Sequence, residues 1–234
     1  MGLNSYVFDL LATHTNWRQL KFGSVLFAGY PDFLVDSPTL IKHLGYSSFS
    51  KHPLSDLWKS GHGEPQLDYC RNPETVFATM NYNGFHVLDS SPNEGADLIV
   101  NLNEPQNILS DLLGRHDLVV DHGTIEHVFN IAQAAKTLVE AVAPDGFIVF
   151  HLPLNIYNHG FYNINPCFYH RFLSPDNGFK IVHHSAWDWL SKRSMLLPAD
   201  REFNLSGISR MLYTVIAQRV AEVEITFPQQ AQYS

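Results

Sequence analysis

Cysteine is scarce in this sequence of 234 residues: there are two, Cys70 and Cys167, far apart and in no C-x-x-C pair. That excludes a disulfide framework and a zinc ribbon and makes the reducing cytoplasm the expected compartment. Long apolar runs are missing too. The opening M-G-L-N-S-Y-V-F-D-L-L-A has no basic leader and carries Asp9 within its apolar part, so neither a secretory signal nor a membrane span is expected. Met1-Gly2 lacks Ser or Thr at position six, which leaves it outside the myristoylation pattern. Positive charge is short: Lys plus Arg is 15 against Asp plus Glu 23, for a formal charge of −8. Such a chain lacks the field that gathers polyanions, which argues against broad nucleic-acid binding and against anionic membranes. No G-x-G-x-x-G occurs. A dinucleotide pyrophosphate needs that close backbone approach, so a nicotinamide-dependent enzyme is disfavoured.

What is there is a globular composition, 45% hydrophobic and 16% charged, with 13 His as its one excess. The length suits one large domain over residues 1–234. Short, continuously apolar runs read as strands buried on both faces: 25–28, 86–88, 98–100, 117–120, 147–150, 180–182 and 211–217. A helix begins after Asn130 as N-cap, with Gln133 three residues on and Ile131, Ala135, Leu138 and Val142 along one face. Pro144-Asp145-Gly146 then turns the chain back. An earlier helix has Ser37 as cap, Pro38 at its first position, Leu40, Ile41 and Leu44 as its apolar residues, and Gly45 as its stop. Strands alternating with helices predict an α/β fold, a Rossmann-like three-layer sandwich around a mostly parallel seven-stranded sheet. Residues 46–80 break the rhythm and, with 1–20, read as an insertion or lid over the sheet.

In such sheets ligands bind beyond the carboxyl ends of the strands. Those positions are polar here: G-Y-P-D (29–32), D-S-S-P (89–92), N-L-N-E-P (101–105), D-H-G-T-I-E-H (121–127) and H-L-P-L-N-I-Y-N-H-G-F-Y-N (151–163). Gly29 lets backbone approach a ligand, and Asp89 can accept both hydroxyls of a ribose. The plainer alternatives are a turn at Gly29 and a helix cap at Asp89. The two stand much further apart than the roughly 20 residues of a dinucleotide fingerprint.

The run H-D-L-V-V-D-H-G-T-I-E-H-V-F-N (116–130), followed by A-P-D-G-F-I-V-F-H-L-P-L-N (143–155), resembles strands four and five of class I S-adenosylmethionine-dependent methyltransferases. N-L-N-E-P (101–105) is similar to the segment after their third strand, and N-G-F-K-I-V (177–182) to the entry into their sixth. The resemblance implies S-adenosyl-L-methionine as cofactor. Ala28, Gly29 and Tyr30 then flank its methionine moiety, Asp89 with Ser90 its ribose, Asn101 and Leu102 its adenine, and Asp121 and His122 its sulfonium and amino-acid end. The sequence departs from the family in having the single Gly29 for a Gly-rich loop and Asn101 for the usual Asp.

The stretch N-H-G-F-Y-N-I-N-P-C-F-Y-H (158–170) stands where the family places its substrate. Its Asn, His and Tyr combine hydrogen bonding with flat apolar faces, which suits a sugar or nucleotide. Asn155, His159, Tyr162, Asn165 and Tyr169 are the candidate substrate contacts, against a loop that satisfies itself. Methyl transfer to a hydroxyl or amine needs a base. Among His122, His127, His151 and His159, His159 is placed first and His151 second, with His127 as a further candidate. Oxygen and imidazole ligands from Glu126-His127 with His151 or His159 suit a divalent cation. Some relatives in the family it resembles use an E-x-x-E-H run with a later His in this way; here Gly123 stands in place of the first Glu, so no metal is expected, and Glu126 and His127 are read as bonding loop backbone. The expected activity is methyl transfer to oxygen or nitrogen of a small polar metabolite, with a catalytically degenerate nucleoside- or partner-binding module on the same fold as the alternative.

Overall fold

The computed structural model describes residues 2–51, 71–92, 95–105, 114–197 and 210–229. The chain divides into two compact units, Met1–Val100 and Asn101–Ser234.

In the first unit, β1 (Leu3–Asn4) leads into α1 (Ser5–His14), whose cap is Asn4 with its side chain accepting from Val7 N at 3.1 Å. Then follow β2 (Gly23–Ala28), β3 (Phe33–Leu34), α2 (Ser37–Leu44), α3 (Pro73–Thr79), β4 (Tyr82–Asp89) and β5 (Leu98–Ile99). Strands β5, β4 and β2 lie side by side in that order, both pairings parallel, with Ala28 opposite Leu88. Strand β2 is buried at every position but Ser24, as its unbroken apolar run predicts. β1 and β3 pair separately.

Helix α2 is capped one residue earlier than expected. Asp36 accepts from Thr39 N at 2.8 Å and from Ser5 Oγ at 2.7 Å, while Ser37 Oγ is taken up by Arg71 Nη2 at 2.6 Å. The carboxylate serves the helix end through Oδ1 and α1 through Oδ2 at once. Gly45 ends the helix with φ 84°. Ile41, expected on the apolar face, is exposed, and Leu40 alone is buried.

Of the segment 46–80 expected as an insertion, residues 52–70 lie outside the described residues. Residues 71–80 contribute to the core through Val76, Phe77 and Met80, all fully buried. Phe77 of α3 meets Phe8 of α1, Phe27 of β2, Phe33 of β3 and Phe85 of β4 at ring-centroid distances of 6.4, 5.1, 6.5 and 6.2 Å. Ring contacts of this kind add to burial, and they join four elements through one ring.

The second unit holds β6 (His116–Asp121), α4 (Ile131–Glu140), β7 (Val142–Pro153), α5 (Pro166–Phe172), β8 (Phe179–Asp188), β9 (Ser194–Met195) and β10 (Met211–Arg219). The spatial order is β6, β7, β10, β8, β9. Asn130 caps α4, accepting from Gln133 N at 3.4 Å, and Ala135 and Leu138 are buried as the sequence period requires. Val142 is not on that helix; it opens β7. Pro144-Asp145-Gly146 makes a bulge inside β7 instead of a turn before it: Val142 pairs with His116 and Phe147 with Leu118, the extra residues being taken up with Asp145 at φ 62°. At Gly146 a Cβ would lie 2.9 Å from Ala143 O and 3.0 Å from His116 O, so the bulge needs glycine.

The fold is α/β, with three parallel strands in the first unit and a mixed set of five in the second, not the mostly parallel seven-stranded sheet expected. β6 and β7 are parallel, but β10 runs antiparallel to β7 and β8, and β8 to the short added β9. Among the described residues no helix is long and apolar enough to cross a membrane.

Replacing Phe77 by Ala is expected to cost about 3–5 kcal/mol of stability, the range for deleting a buried aromatic ring. Urea denaturation measures it, and a loss under about 1 kcal/mol would show that α3 is not part of this core.

Candidate functional site

In the second unit the site grows from the end of β6. Asp121, the last residue of that strand, is fully buried and folds the following turn over its own carboxylate, which accepts from Thr124 N at 2.9 Å, Gly123 N at 3.3 Å and Ile125 N at 3.4 Å. Short acidic side chains favour such turns because they hydrogen-bond backbone a few residues on. The turn continues into a 3-10 helix, Ile125–His127, and delivers Glu126 to the interior with its side chain fully buried.

A second segment is laid on top. Phe161 N and Tyr162 N donate to Glu126 O at 2.9 and 3.3 Å, and at Gly160 a Cβ would lie 2.8 Å from Glu126 O and 3.0 Å from Glu126 Cγ. Only a residue without a side chain lets this loop close down. Its neighbour His159 then points Nε2 at Glu126 Oε1, 3.5 Å away, while His127 Nε2 is 3.7 Å from the same oxygen. The two rings stand 5.1 Å apart, edge to face. His127 is half-exposed and His159 less so.

Glu126 was expected to bond loop backbone, and here the structure differs: its main-chain carbonyl does so, whereas neither carboxylate oxygen has a hydrogen-bond partner. Burial raises the carboxyls of both Asp121 and Glu126 above the usual carboxylate range, and Asp121 raises Glu126 in addition. Burial lowers His127 and His159, which stay neutral near pH 7, with His127 depressing His159 further.

His151 is elsewhere. It is the cross-strand partner of Thr214 and bonds Thr214 Oγ1 through Nδ1 at 2.8 Å. Fully buried, its imidazole is pushed down to about 3 by burial and by His122. His122, beside Asp121, is also buried.

The other expected substrate contacts are held in several ways. Asn155 Oδ1 accepts from Met211 N at 2.6 Å, joining the end of β7 to the start of β10. Tyr162 donates to Phe129 O at 2.7 Å. Asn165 caps α5 through Cys167 N at 2.9 Å and lines a cavity of about 480 Å³ with Phe168, Arg171, Phe172 and Phe227. Tyr169 is a core residue, fully buried and stacked on Tyr213 with ring centroids 5.6 Å apart. Asn101 Oδ1 accepts from Asn103 N at 3.1 Å and Leu102 is buried.

In the first unit, Gly29 and Asp89 follow the paired residues Ala28 and Leu88 at the carboxyl ends of neighbouring parallel strands. Gly29 has φ 74° and donates to Leu88 O at 2.8 Å. Asp89 is half-buried, accepting from Ser91 N at 3.1 Å and from the exposed Ser90 through Oγ at 3.3 Å. Ala28 is buried. Tyr30 packs 6.2 Å from Phe85, and burial, with Glu74 and Asp97 near, pushes its phenol up to about 12.

Reading the sequence missed Gly160, whose place directly after His159 in H-G-F-Y was the available signal, and it did not foresee an unpartnered Glu126. No family model and no curated protein matches the chain in sequence. Solved structures similar to it in fold include the CurJ carbon methyltransferase, 14% identical over 86% of this chain at a TM-score of 0.38; this chain spans about half, 49%, of that one. The 1,6-didemethyltoxoflavin-N1-methyltransferase of Burkholderia thailandensis, crystallised with S-adenosylhomocysteine, is 10% identical over 92% of this chain and 78% of its own, at a TM-score of 0.41. The branched-chain polyamine synthase of Thermus thermophilus is 15% identical over 97% of this chain and 59% of its own, at 0.42.

Gly160→Ala is expected to lift the loop from Glu126 and to destabilise the fold by about 1–3 kcal/mol, the usual cost of overpacking. Thermal unfolding together with the chemical shifts of the His159 ring checks it; an unchanged melting temperature and unchanged shifts would show that the loop does not need glycine there.

Proposed function

We propose that this protein transfers a methyl group from S-adenosyl-L-methionine to an oxygen or nitrogen of a small polar metabolite of sugar or nucleotide type. The observation that carries the reading is the pair Gly29 and Asp89, one residue past Ala28 and Leu88 on adjacent parallel strands. A backbone turn that admits a ligand beside a carboxylate able to accept from a cis-diol is what an adenosyl ribose requires. The resemblance of residues 101–105, 116–130 and 143–155 to class I methyltransferases supports the same reading and extends it to Ala28, Tyr30, Ser90, Asn101, Leu102, Asp121 and His122 as cofactor contacts.

Displacement at the sulfonium carbon asks little of the protein beyond alignment and removal of the acceptor's proton. The acceptor end is assigned to Glu126, His127 and His159, whose imidazoles reach solvent, and not to His151, which is shut in the core against Thr214. Asn155 and Tyr169 act as structural residues in this reading, and Tyr162 and Asn165 border the acceptor.

A second reading is a binding module without catalysis. It is favoured by Asn101, whose carbonyl oxygen is engaged by Asn103.

Titration calorimetry with S-adenosylhomocysteine, and NAD as control, tests the cofactor site on which the first reading rests, and methylation of an acceptor by the loaded chain separates it from the second. Methyl transfer expects a Kd below about 100 μM, a binding free energy near 5.5 kcal/mol in magnitude. Asp89→Ala, by removing two hydrogen bonds to a charged group, is expected to weaken binding by about 3 kcal/mol, roughly 100-fold. Absence of heat with the wild-type chain, or full affinity in the variant, would refute the site.

A further inference from the structure

We propose that Glu126, His127 and His159 form a three-ligand site for a divalent transition-metal ion of the zinc type, with one coordination position left open toward solvent.

Distance is the first argument. Glu126 Oε1 is 3.5 Å from His159 Nε2 and 3.7 Å from His127 Nε2, and the three ligand atoms all lie within 4.8 Å of one another. These separations are long for hydrogen bonds. They are close to the edge of a coordination tetrahedron, about 3.4 Å for ligands about 2.1 Å from a common centre.

Burial is the second. Glu126 has a side chain with no exposure and two oxygens with no hydrogen-bond partner, and Nε2 of His159 is buried and likewise without one. A polar group taken out of water without a partner costs several kcal/mol, and Asp121 nearby adds a second buried carboxyl. One cation shared by Glu126 and two imidazoles meets these unsatisfied atoms together. The third argument is construction. The Asp121-held turn presents Glu126 and His127 from one side, and the glycine that permits the close approach at residue 160 presents His159 from the other.

The ligand set also explains why Gly123 in place of a further carboxylate is no obstacle. Closed structural zinc sites use four protein ligands, whereas open ones use three and leave a position for water or substrate. Two imidazoles and one carboxylate suit Zn²⁺, Co²⁺ or Fe²⁺ better than Mg²⁺, which prefers oxygen. The site stands whether or not the chain transfers methyl groups. What the ion does there rests on that reading: it would bind the acceptor oxygen or nitrogen at the open position and lower its pKa so that solvent water takes the proton, with His159 a ligand and not a free base.

The test is a titration of the full-length chain, freed of metal by a chelator and dialysed, with Zn²⁺ alone and separately with Co²⁺ alone. The expected result is one ion per chain, a rise in melting temperature on Zn²⁺ addition, and the intense visible bands of low-coordinate Co²⁺. Glu126→Gln, His127→Asn and His159→Asn are each expected to weaken Zn²⁺ binding by more than the roughly 10–100-fold that losing an outer-shell partner costs. His184→Asn, in β8 where the ring Nδ1 lies 3.0 Å from the Tyr213 hydroxyl, is expected to leave it unchanged. His127 is half-exposed, so its variant carries the test should Glu126→Gln fail to fold. No binding by the wild-type chain, or binding that survives both histidine substitutions, overturns the proposal. Affinity for S-adenosylhomocysteine, measured on the same metal-free and Zn²⁺-loaded samples, reads the methyltransferase assignment separately.

Discussion

The carboxylate of Asp121 is the constraint from which the chemistry of residues 101–234 is built. By accepting three backbone N–H groups of the turn that follows β6, it fixes where Glu126 enters the interior. Glu126 in turn supplies the carbonyl on which the 159–162 loop is hung. A carboxyl can do this only in place of water, so the local order depends on its burial. The consequence is a second acid, Glu126, left facing two imidazoles with its own oxygens unsatisfied. Interiors seldom tolerate that without compensation.

The first unit depends on a different kind of interaction. Phe77 joins four elements by ring contacts, edge-on to Phe8, Phe27 and Phe33 and tilted to Phe85. Arg71, nearly buried, ties the chain on either side through Val35 O, Ser47 O and Ser37 Oγ at 2.8, 3.0 and 2.6 Å. Both residues come from a part of the sequence whose composition reads as insertion. Scattered polar residues hide a single large anchor, because a window average weighs one Phe against its many neighbours.

The functional reading joins two observations of unequal reach. Gly29 and Asp89 at adjacent strand ends suit a nucleoside, and the Glu126, His127, His159 cluster suits an acceptor or a cation. Each is a local construction that can be tested alone. His151, promising as a strand-end histidine, shows why position in sequence is insufficient. Its register opposite Thr214 turns it inward, where the desolvation cost keeps it neutral.

The amino-acid sequence by itself determined the strands that are apolar throughout, the helix capped by Asn130 and the Gly45 stop. These depend on neighbours a few residues apart, and so does the candidate status of Gly29 and Asp89 at strand ends. Only tertiary structure decided that the sheet of the second unit is mixed, since the direction of β10 is set by partners 59 to 71 residues away in β7. It likewise decided that Tyr169 is buried against Tyr213, that Asn155 accepts from Met211 N, that Ser37 yields its cap to Asp36, and that Glu126, His127 and His159 converge. Burial and long-range pairing are properties of the whole packed chain, and the same Glu, His or Tyr is a ligand, a cap or a core residue according to what the fold brings against it.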